Sequence, residues 1–242
     1  MNKEFFGKEV LIIGGSGGIG AALALRLGQS GASLHIHGGS SRERLDRTVG
    51  MVQESGGKAS GFLCPADKAG AAERIISMVP PVDILICAWG PFMRRSLEDM
   101  SAEEWEALIN NNFLFPGTMI SLVLRDMINK GWGRILLFGG TNTDTIRGFK
   151  TTAAYSAAKT ALGVLAKSVA ISAGPKGITC NVICPGLTDT EYTDEEGRSY
   201  NRRLSPGGIA LKAEDIAEFG LQILMNPSVN GAIIPVDKGG RV

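Results

Sequence analysis

The feature that most constrains this 242-residue chain is an alternation: short apolar, β-branched runs take turns with longer amphipathic stretches along its whole length. The runs predict strands over 9–13, 33–37, 59–63, 83–87, 134–138, 179–183 and 232–235. The stretches between predict helices over 19–30, 42–55, 70–79, 102–129, 152–173 and 213–225. Several runs, such as Asp83-Ile-Leu-Ile-Cys87, are apolar throughout instead of alternating. A strand reads that way when helices cover both of its faces, as happens in parallel sheets. The prediction is an α/β fold: a single-domain, doubly wound (Rossmann) parallel sheet of about seven strands with helices on both faces. No linker, repeat or low-complexity tract interrupts the pattern, so residues 1–242 read as one domain. Ser101 and Glu104 form a capping-box pair at the start of the 102–129 helix.

Composition removes several functions. Hydrophobic residues at 44% and charged residues at 20% exclude a disordered chain. Lys+Arg 25 against Asp+Glu 24 leaves a formal charge of +1, so no nucleic-acid partner is expected. No apolar run approaches the roughly 18 residues of a membrane span, so no membrane partner is expected either. The polar start, entering a strand directly, is unlike a signal peptide. Cys64, Cys87, Cys180 and Cys184 lie in apolar stretches without metal-ligand spacing and read as buried reduced thiols. Together these features predict a cytoplasmic protein with no metal site.

The chain has 33 glycines, about twice the usual share of roughly 7%. They cluster where the first strand runs into Gly14-Gly-Ser-Gly-Gly18-Ile-Gly20 and then an alanine-rich helix. Glycines at such a strand-to-helix turn let backbone amides approach a pyrophosphate and aim the helix N-terminus at it. The turn predicts a dinucleotide site. An acid at the end of the second strand would select NAD by holding its ribose. The strand end reads His35-Ile-His37-Gly38-Gly39-Ser40-Ser41-Arg42 instead. Ser40, Ser41 and Arg42 could hold a 2′-phosphate, so NADP(H) is favoured over NAD(H). His37 reads equally as an adenosine contact or a satisfied strand-end side chain.

Tyr155 and Lys159 stand one helical turn apart, on one face, at the start of the helix that follows the fifth strand. An ammonium within about 4 Å would favour the tyrosinate by a few kcal/mol, enough to move a phenol from about 10 towards neutrality. With these residues the chain resembles the short-chain dehydrogenase/reductase family, in its compact single-domain branch that includes 3-oxoacyl-ACP-reductase-like members. Gly14, Gly18 and Gly20 match that family's GxxxGxG turn. Trp105 and Asn112 match its catalytic-asparagine helix, and Tyr155 with Lys159 its YxxxK. Pro185-Gly186 with Thr190 matches PGxxxT, and Val236-Asp-Lys-Gly-Gly240 resembles its C-terminal VDGG.

The resemblance implies hydride transfer between nicotinamide and a carbonyl or secondary alcohol, with Tyr155 as general acid/base and a small-molecule carbonyl or alcohol as substrate. Lys159 would lower the Tyr155 pKa and bind the nicotinamide ribose, and Asn112 would hold the water that leads to solvent. Gly14, Ser16, Gly18, Ile19 and Gly20 would carry the pyrophosphate. Asp67 and Gly90 would contact the adenosine, and Pro185, Thr188 and Thr190 the carboxamide. The family's Asn-Asn-Ala-Gly appears as Cys87-Ala-Trp89-Gly90, and its carbonyl-polarising serine is absent. Counting from Gly133 puts that position at Gly140; counting back from Tyr155 puts it at Asn142. Thr141 between them is the expected substitute hydroxyl, with Asn142 or no residue as the alternatives. A catalytically impaired nucleotide-binding regulator is the rival reading, and a slow enzyme is compatible with the missing serine.

Residues 185–211 lack apolar periodicity and read as a charged, lid-like segment. Phe92, Met93, Arg94, Arg95, Phe149 and Tyr192 are pocket candidates. Arg94 and Arg95 read first as a solvated pair, with a substrate carboxylate or phosphate as the alternative. In this family the 102–129 and 152–173 helices would pack between subunits, implying a homodimer or homotetramer.

Overall fold

The computed structural model describes residues 4–240, so the expectation drawn from the polar start falls partly outside the described residues. The strands are β1 (Glu9–Ile13), β2 (Ser33–Gly38), β3 (Lys58–Leu63), β4 (Ile84–Cys87), β5 (Gly133–Phe138), β6 (Ile178–Pro185), β7 (Thr188–Asp189), β8 (Leu211–Lys212) and β9 (Ile233–Val236). The helices are α1 (Gly18–Gln29), α2 (Arg42–Glu54), α3 (Ala71–Ser77), α4 (Ala102–Ile109), α5 (Phe115–Lys130), α6 (Ala153–Ala173), α7 (Glu195–Leu204) and α8 (Ala213–Met225). Seven strands form one parallel sheet in the order β3-β2-β1-β4-β5-β6-β9, and β7 pairs with β8 apart from it. The chain winds outward from β1 to β3 and restarts on the other side of β1 with β4. Ile13 is therefore flanked by His37 and Cys87, and the helices that follow β1 and β4 pack on opposite faces, the switch point outside which such sheets bind ligands.

Alternate residues of each strand feed two separate cores. Leu23, Leu27, Leu45, Val52, Ile216 and Leu224 from α1, α2 and α8 pack on Val10, Ile12, Ile84, Ile86, Leu136 and Ile183. On the other face Ile75, Met119, Val123, Leu162 and Val169 from α3, α5 and α6 pack on Leu11, Ile13, Leu85, Ile135 and Val182. Every residue of β4, β5 and β6 is buried, which is why those runs carry no polar alternation. All four cysteines are free and buried, as expected.

Two expectations change. Helices α4 and α5 are fused through a π-helical segment, Asn110–Leu114, into one helix from 102 to 130 that is long and apolar enough to cross a membrane by length and composition. The sequence reading had found no such segment. Its buried residues Met119, Ile120, Val123 and Met127 pack in the core beneath the sheet, so its apolar content follows from that packing. The lid is not irregular either, because α7 occupies its middle. Only Asn201 of α7 is buried, so it carries no apolar stripe to read. Its support is terminal: the Asp194 side chain accepts from the Gly197 amide at 2.7 Å, Glu195 and Glu196 lie in the first turn, and Arg202 and Arg203 in the last. Those charges complement the helix dipole.

Candidate active site

The glycine turn is built as its sequence requires. Gly14 and Gly18 take left-handed backbone angles (φ +76° and +54°), and a Cβ on Gly20 would collide with the Gly14 carbonyl. Ser16 and Ile19 are half-buried in the same turn. The Gly18 amide donates at 2.8 Å to the carboxylate of Glu191, which reaches across from the lid. An anion thus already sits at the N-terminus of α1, the position expected for a pyrophosphate. Beside it, a Cβ on Gly17 would collide with the Tyr192 hydroxyl, and the Arg44 guanidinium lies 5.1 Å from the Tyr192 ring centroid.

His37 is a satisfied structural residue. Its Nδ1 accepts from the Gly14 amide at 3.4 Å and its Nε2 lies 2.6 Å from the Cys64 carbonyl. Burial pushes its pKa down, so the ring is neutral and joins the turn after β1 to the loop after β3. Among the residues expected at a 2′-phosphate, Ser41 caps α2 through the Arg44 amide at 3.3 Å. Arg42 faces Asp46 at 3.7 Å, and Ser40 is exposed. Glu43, the acid nearest this strand end, is held by Arg47 at 2.8 Å. Asp67 is exposed beside Lys68, at 3.3 Å.

Tyr155, Lys159 and Asn112 meet on the β4–β5 side of the crevice. Lys159 is buried and donates to the Phe138 carbonyl at the end of β5, at 2.9 Å. Its Nζ stands 5.9 Å from the Tyr155 ring centroid. Asn112 lies in the π-helical segment, and its Nδ2 donates to the Leu108 and Pro91 carbonyls. Its Oδ1 is the one buried side-chain polar atom left without a partner among the described residues. A Cβ on Gly90 would collide with that oxygen and lie 3.1 Å from Lys159 Nζ, so both atoms border one small space. The electrostatics differ from expectation. Burial pushes the Tyr155 phenol up to about 12 and the Lys159 ammonium down to about 8, with no lowering of Tyr155 by Lys159. Lys159 is buried and Tyr155 half-buried, and desolvation of the charged form is the main cause of both shifts.

Of the two counts for the serine position, Gly140 borders the Tyr155 ring. A Cβ there would lie 2.9 Å from Tyr155 Cε1 and 3.0 Å from its hydroxyl, so the phenol rests against bare backbone. The extra loop length is taken up by a turn in which the Thr143 amide donates to the Gly140 carbonyl at 3.2 Å, with Asn142 in the left-handed region (φ +60°). The buried Thr143 hydroxyl ties the turn, accepting from the Gly140 amide and donating to its carbonyl. The Thr141 hydroxyl donates to the Pro185 carbonyl at 3.2 Å.

The loop after β6 is braced internally. Thr188 donates to the Gly186 carbonyl at 2.9 Å, and the Thr190 hydroxyl accepts from the Tyr192 amide at 3.3 Å. The Gly186 amide donates to Val236 at 2.9 Å, so the C-terminal Val236–Gly240 run backs the Pro185 turn. Sequence reading missed the contacts of Thr143 and Glu191, since the first lies inside a lengthened loop and the second joins segments distant in the chain. The residues present fit a nicotinamide dinucleotide: a glycine cradle that already holds an anion, and an unpartnered buried acceptor beside a lysine.

The family model described as short chain dehydrogenase matches residues 8–201, and the chain belongs to that family. It is 32% identical over 199 residues to "Dehydrogenase/reductase SDR family member 4" of Sus scrofa, covering 79% of this chain and 69% of that protein. A short-chain dehydrogenase/reductase from Serratia marcescens superposes with a TM-score of 0.89 at 29% identity, over 99% of this chain and 100% of that one. A 3-oxoacyl (acyl-carrier-protein) reductase from Agrobacterium tumefaciens, solved with NADP bound, gives 0.88 at 27% identity, over 97% and 95%. The protein is an oxidoreductase of nicotinamide-cofactor type, acting on CH–OH or C=O groups of small molecules.

Proposed function

We propose that this oxidoreductase uses NADP(H) and that Tyr155 exchanges the proton with the carbonyl or alcohol oxygen. The observation that carries the reading is the convergence of Tyr155, Lys159 and the unpartnered Asn112 Oδ1 at the mouth of the glycine-turn crevice. When bound, the nicotinamide supplies the hydride to a carbonyl carbon or takes it from an alcohol carbon. In reduction Tyr155 releases its proton to the carbonyl oxygen. Because the phenol holds its proton up to about 12 while Lys159 titrates near 8, return of a proton from the ammonium to the phenolate is downhill. Asn112 Oδ1 is the acceptor that orients that proton's path. Gly14, Ser16, Gly18, Ile19 and Gly20 bind the pyrophosphate, Asp67 and Gly90 the adenosine, and Pro185, Thr188 and Thr190 the carboxamide. The choice of NADP(H) is supported by the lack of an acid at the end of β2 and by the Arg47 partner of Glu43; Ser40, Ser41 and Arg42 would hold the 2′-phosphate, with Arg42 exchanging its exposed Asp46 partner for it.

The test is turnover of NADPH and NADH with ketones and aldehydes by the wild type and Tyr155→Phe. The variant is expected to lose on the order of 10²–10⁴ in rate and still bind NADPH. Tight NADPH binding by the wild type with no turnover would favour the regulator. With its hydroxyl committed to Pro185, Thr141→Ala is expected to cost less than about tenfold, whereas loss of an oxyanion donor costs on the order of 10²–10³. Exposed Leu114, Val164 and Ile171 on the helices at residues 110–130 and 153–173 support a homodimer or homotetramer, which sedimentation checks. Four free buried thiols suit a cytoplasmic setting.

A further inference from the structure

A row of side chains leads from α7 down to Tyr155. The Phe92 ring stands edge-on to Tyr155, with centroids 5.0 Å apart and planes at 88°. The Arg94 guanidinium lies 5.6 Å from the Phe92 centroid and 4.9 Å from that of Tyr200 on α7. Arg203, one helical turn further along α7, lies 5.6 Å from the same Tyr200 ring. Two guanidinium groups therefore converge on one aromatic ring at the outer edge of the catalytic crevice.

The distribution of acids around them is uneven. Arg95 pairs with Glu104 at 2.7 Å and Arg202 with Glu195 at 2.9 Å. Their neighbours Arg94 and Arg203 have no carboxylate within ion-pair distance among the described residues. Arg95 is also fixed through its amide, which donates to the Thr151 carbonyl at 2.6 Å. The adjacent arginines take the nearby acids, and the two that share Tyr200 are left without a carboxylate partner among the described residues. Like charges gathered on one ring repel, and an oxyanion placed between them turns that repulsion into attraction. Both guanidinium groups lie within cation–π distance of the Tyr200 ring, and that of Arg94 also of the Phe92 ring, which restrains them.

We propose that Arg94 and Arg203 form a carboxylate-recognition site and that the substrates are oxo acids, or the matching hydroxy acids. This rests on the oxidoreductase reading above. The stacked spacings put the Arg94 guanidinium within about 11 Å of the Tyr155 ring, so carbonyl and carboxylate belong to one small molecule and lie a few bonds apart.

The experiment takes straight-chain oxo acids with different carbonyl-to-carboxylate separations, each beside its own methyl ester, as substrates for the NADPH-loaded protein. In the wild type kcat/KM for the best acid is expected to exceed that of its ester by at least ~10-fold, mainly through KM. Arg94→Met and Arg203→Met should bring that ratio close to one with an unchanged unfolding midpoint, and Arg94→Lys should restore part of it. An ester used as well as its acid by the wild type, or a ratio that ignores both substitutions, overturns the proposal. Calorimetric titration of the acids into the NADPH complex of Tyr155→Phe separates this inference from the catalytic one. Binding that disappears in the arginine variants supports the site whatever the turnover, and no binding of any acid to the wild-type or Tyr155→Phe complex overturns it.

Discussion

With 2.9–3.0 Å between a notional Cβ on Gly140 and the Tyr155 ring, the phenol occupies space that a serine side chain would need. Restoring the hydroxyl by Gly140→Ser is therefore expected to lower kcat, because the new side chain displaces Tyr155, and to cost about 1–3 kcal/mol of stability as overpacking does. Kinetics with thermal unfolding decide this; a faster Gly140→Ser enzyme would show that the phenol yields without penalty. A second residue-scale prediction concerns Lys159. With its ammonium pushed down to about 8, it loses its charge as pH rises through that value. The reductive rate should fall on that alkaline limb, since the group that recharges Tyr155 is then neutral. A pH profile of kcat at saturating NADPH reads it directly, and a flat profile up to pH 10 would contradict the proton path.

At the scale of elements, the lid and the glycine turn share one contact. Glu191 accepts from the Gly18 amide while Tyr192 covers Gly17 under Arg44. A dinucleotide pyrophosphate and the Glu191 carboxylate need the same amide, and like charges cannot share it. With the pyrophosphate on the Gly18 amide, as proposed, cofactor binding would expel Glu191 at the cost of one charge-assisted hydrogen bond of roughly 1.5–3 kcal/mol. Glu191→Ala should consequently tighten NADPH binding by about tenfold or more, measured by fluorescence titration. An unchanged or weaker dissociation constant would mean that Glu191 stays useful in the loaded enzyme. The lid also shows how an element escapes a reading based on apolar period. α7 was invisible because its stability comes from a cap, dipole-matched charges and the Arg202–Glu195 pair, not from a buried stripe.

On the scale of the whole molecule, pH couples to stability through a histidine in the sheet. The chain has two histidines; His35 pairs with Glu9 at 2.7 Å on the rim, whereas His37 is buried and neutral with its pKa lowered by desolvation. Below about 6.5 the unfolded chain takes up a proton that the folded chain refuses, so the unfolded state holds more protons there. Stability then rises with pH towards 6.5 and is lost as pH falls below it. Protonation at Nδ1 would also set an N–H against the Gly14 amide and loosen the cofactor turn. Urea unfolding at pH 5.5 and 7.5 should show the difference, and His37→Gln should shrink it; an equal difference in the variant would assign it to other groups.

Residue order alone determined the alternation, the two-faced burial of the central strands, the glycine turn, and the helical turn separating Tyr155 from Lys159. These are local periodicities and steric demands that hold wherever the segment folds. It could not say that Gly140 would border the Tyr155 ring, that the Thr141 hydroxyl would turn to Pro185, or that burial would push the Tyr155 phenol up. Nor could it say which of two adjacent arginines would lack a carboxylate partner. Those outcomes depend on desolvation and on contacts between segments tens of residues apart, and both exist only after the β4, β5 and β6 loops and the lid have closed around one crevice.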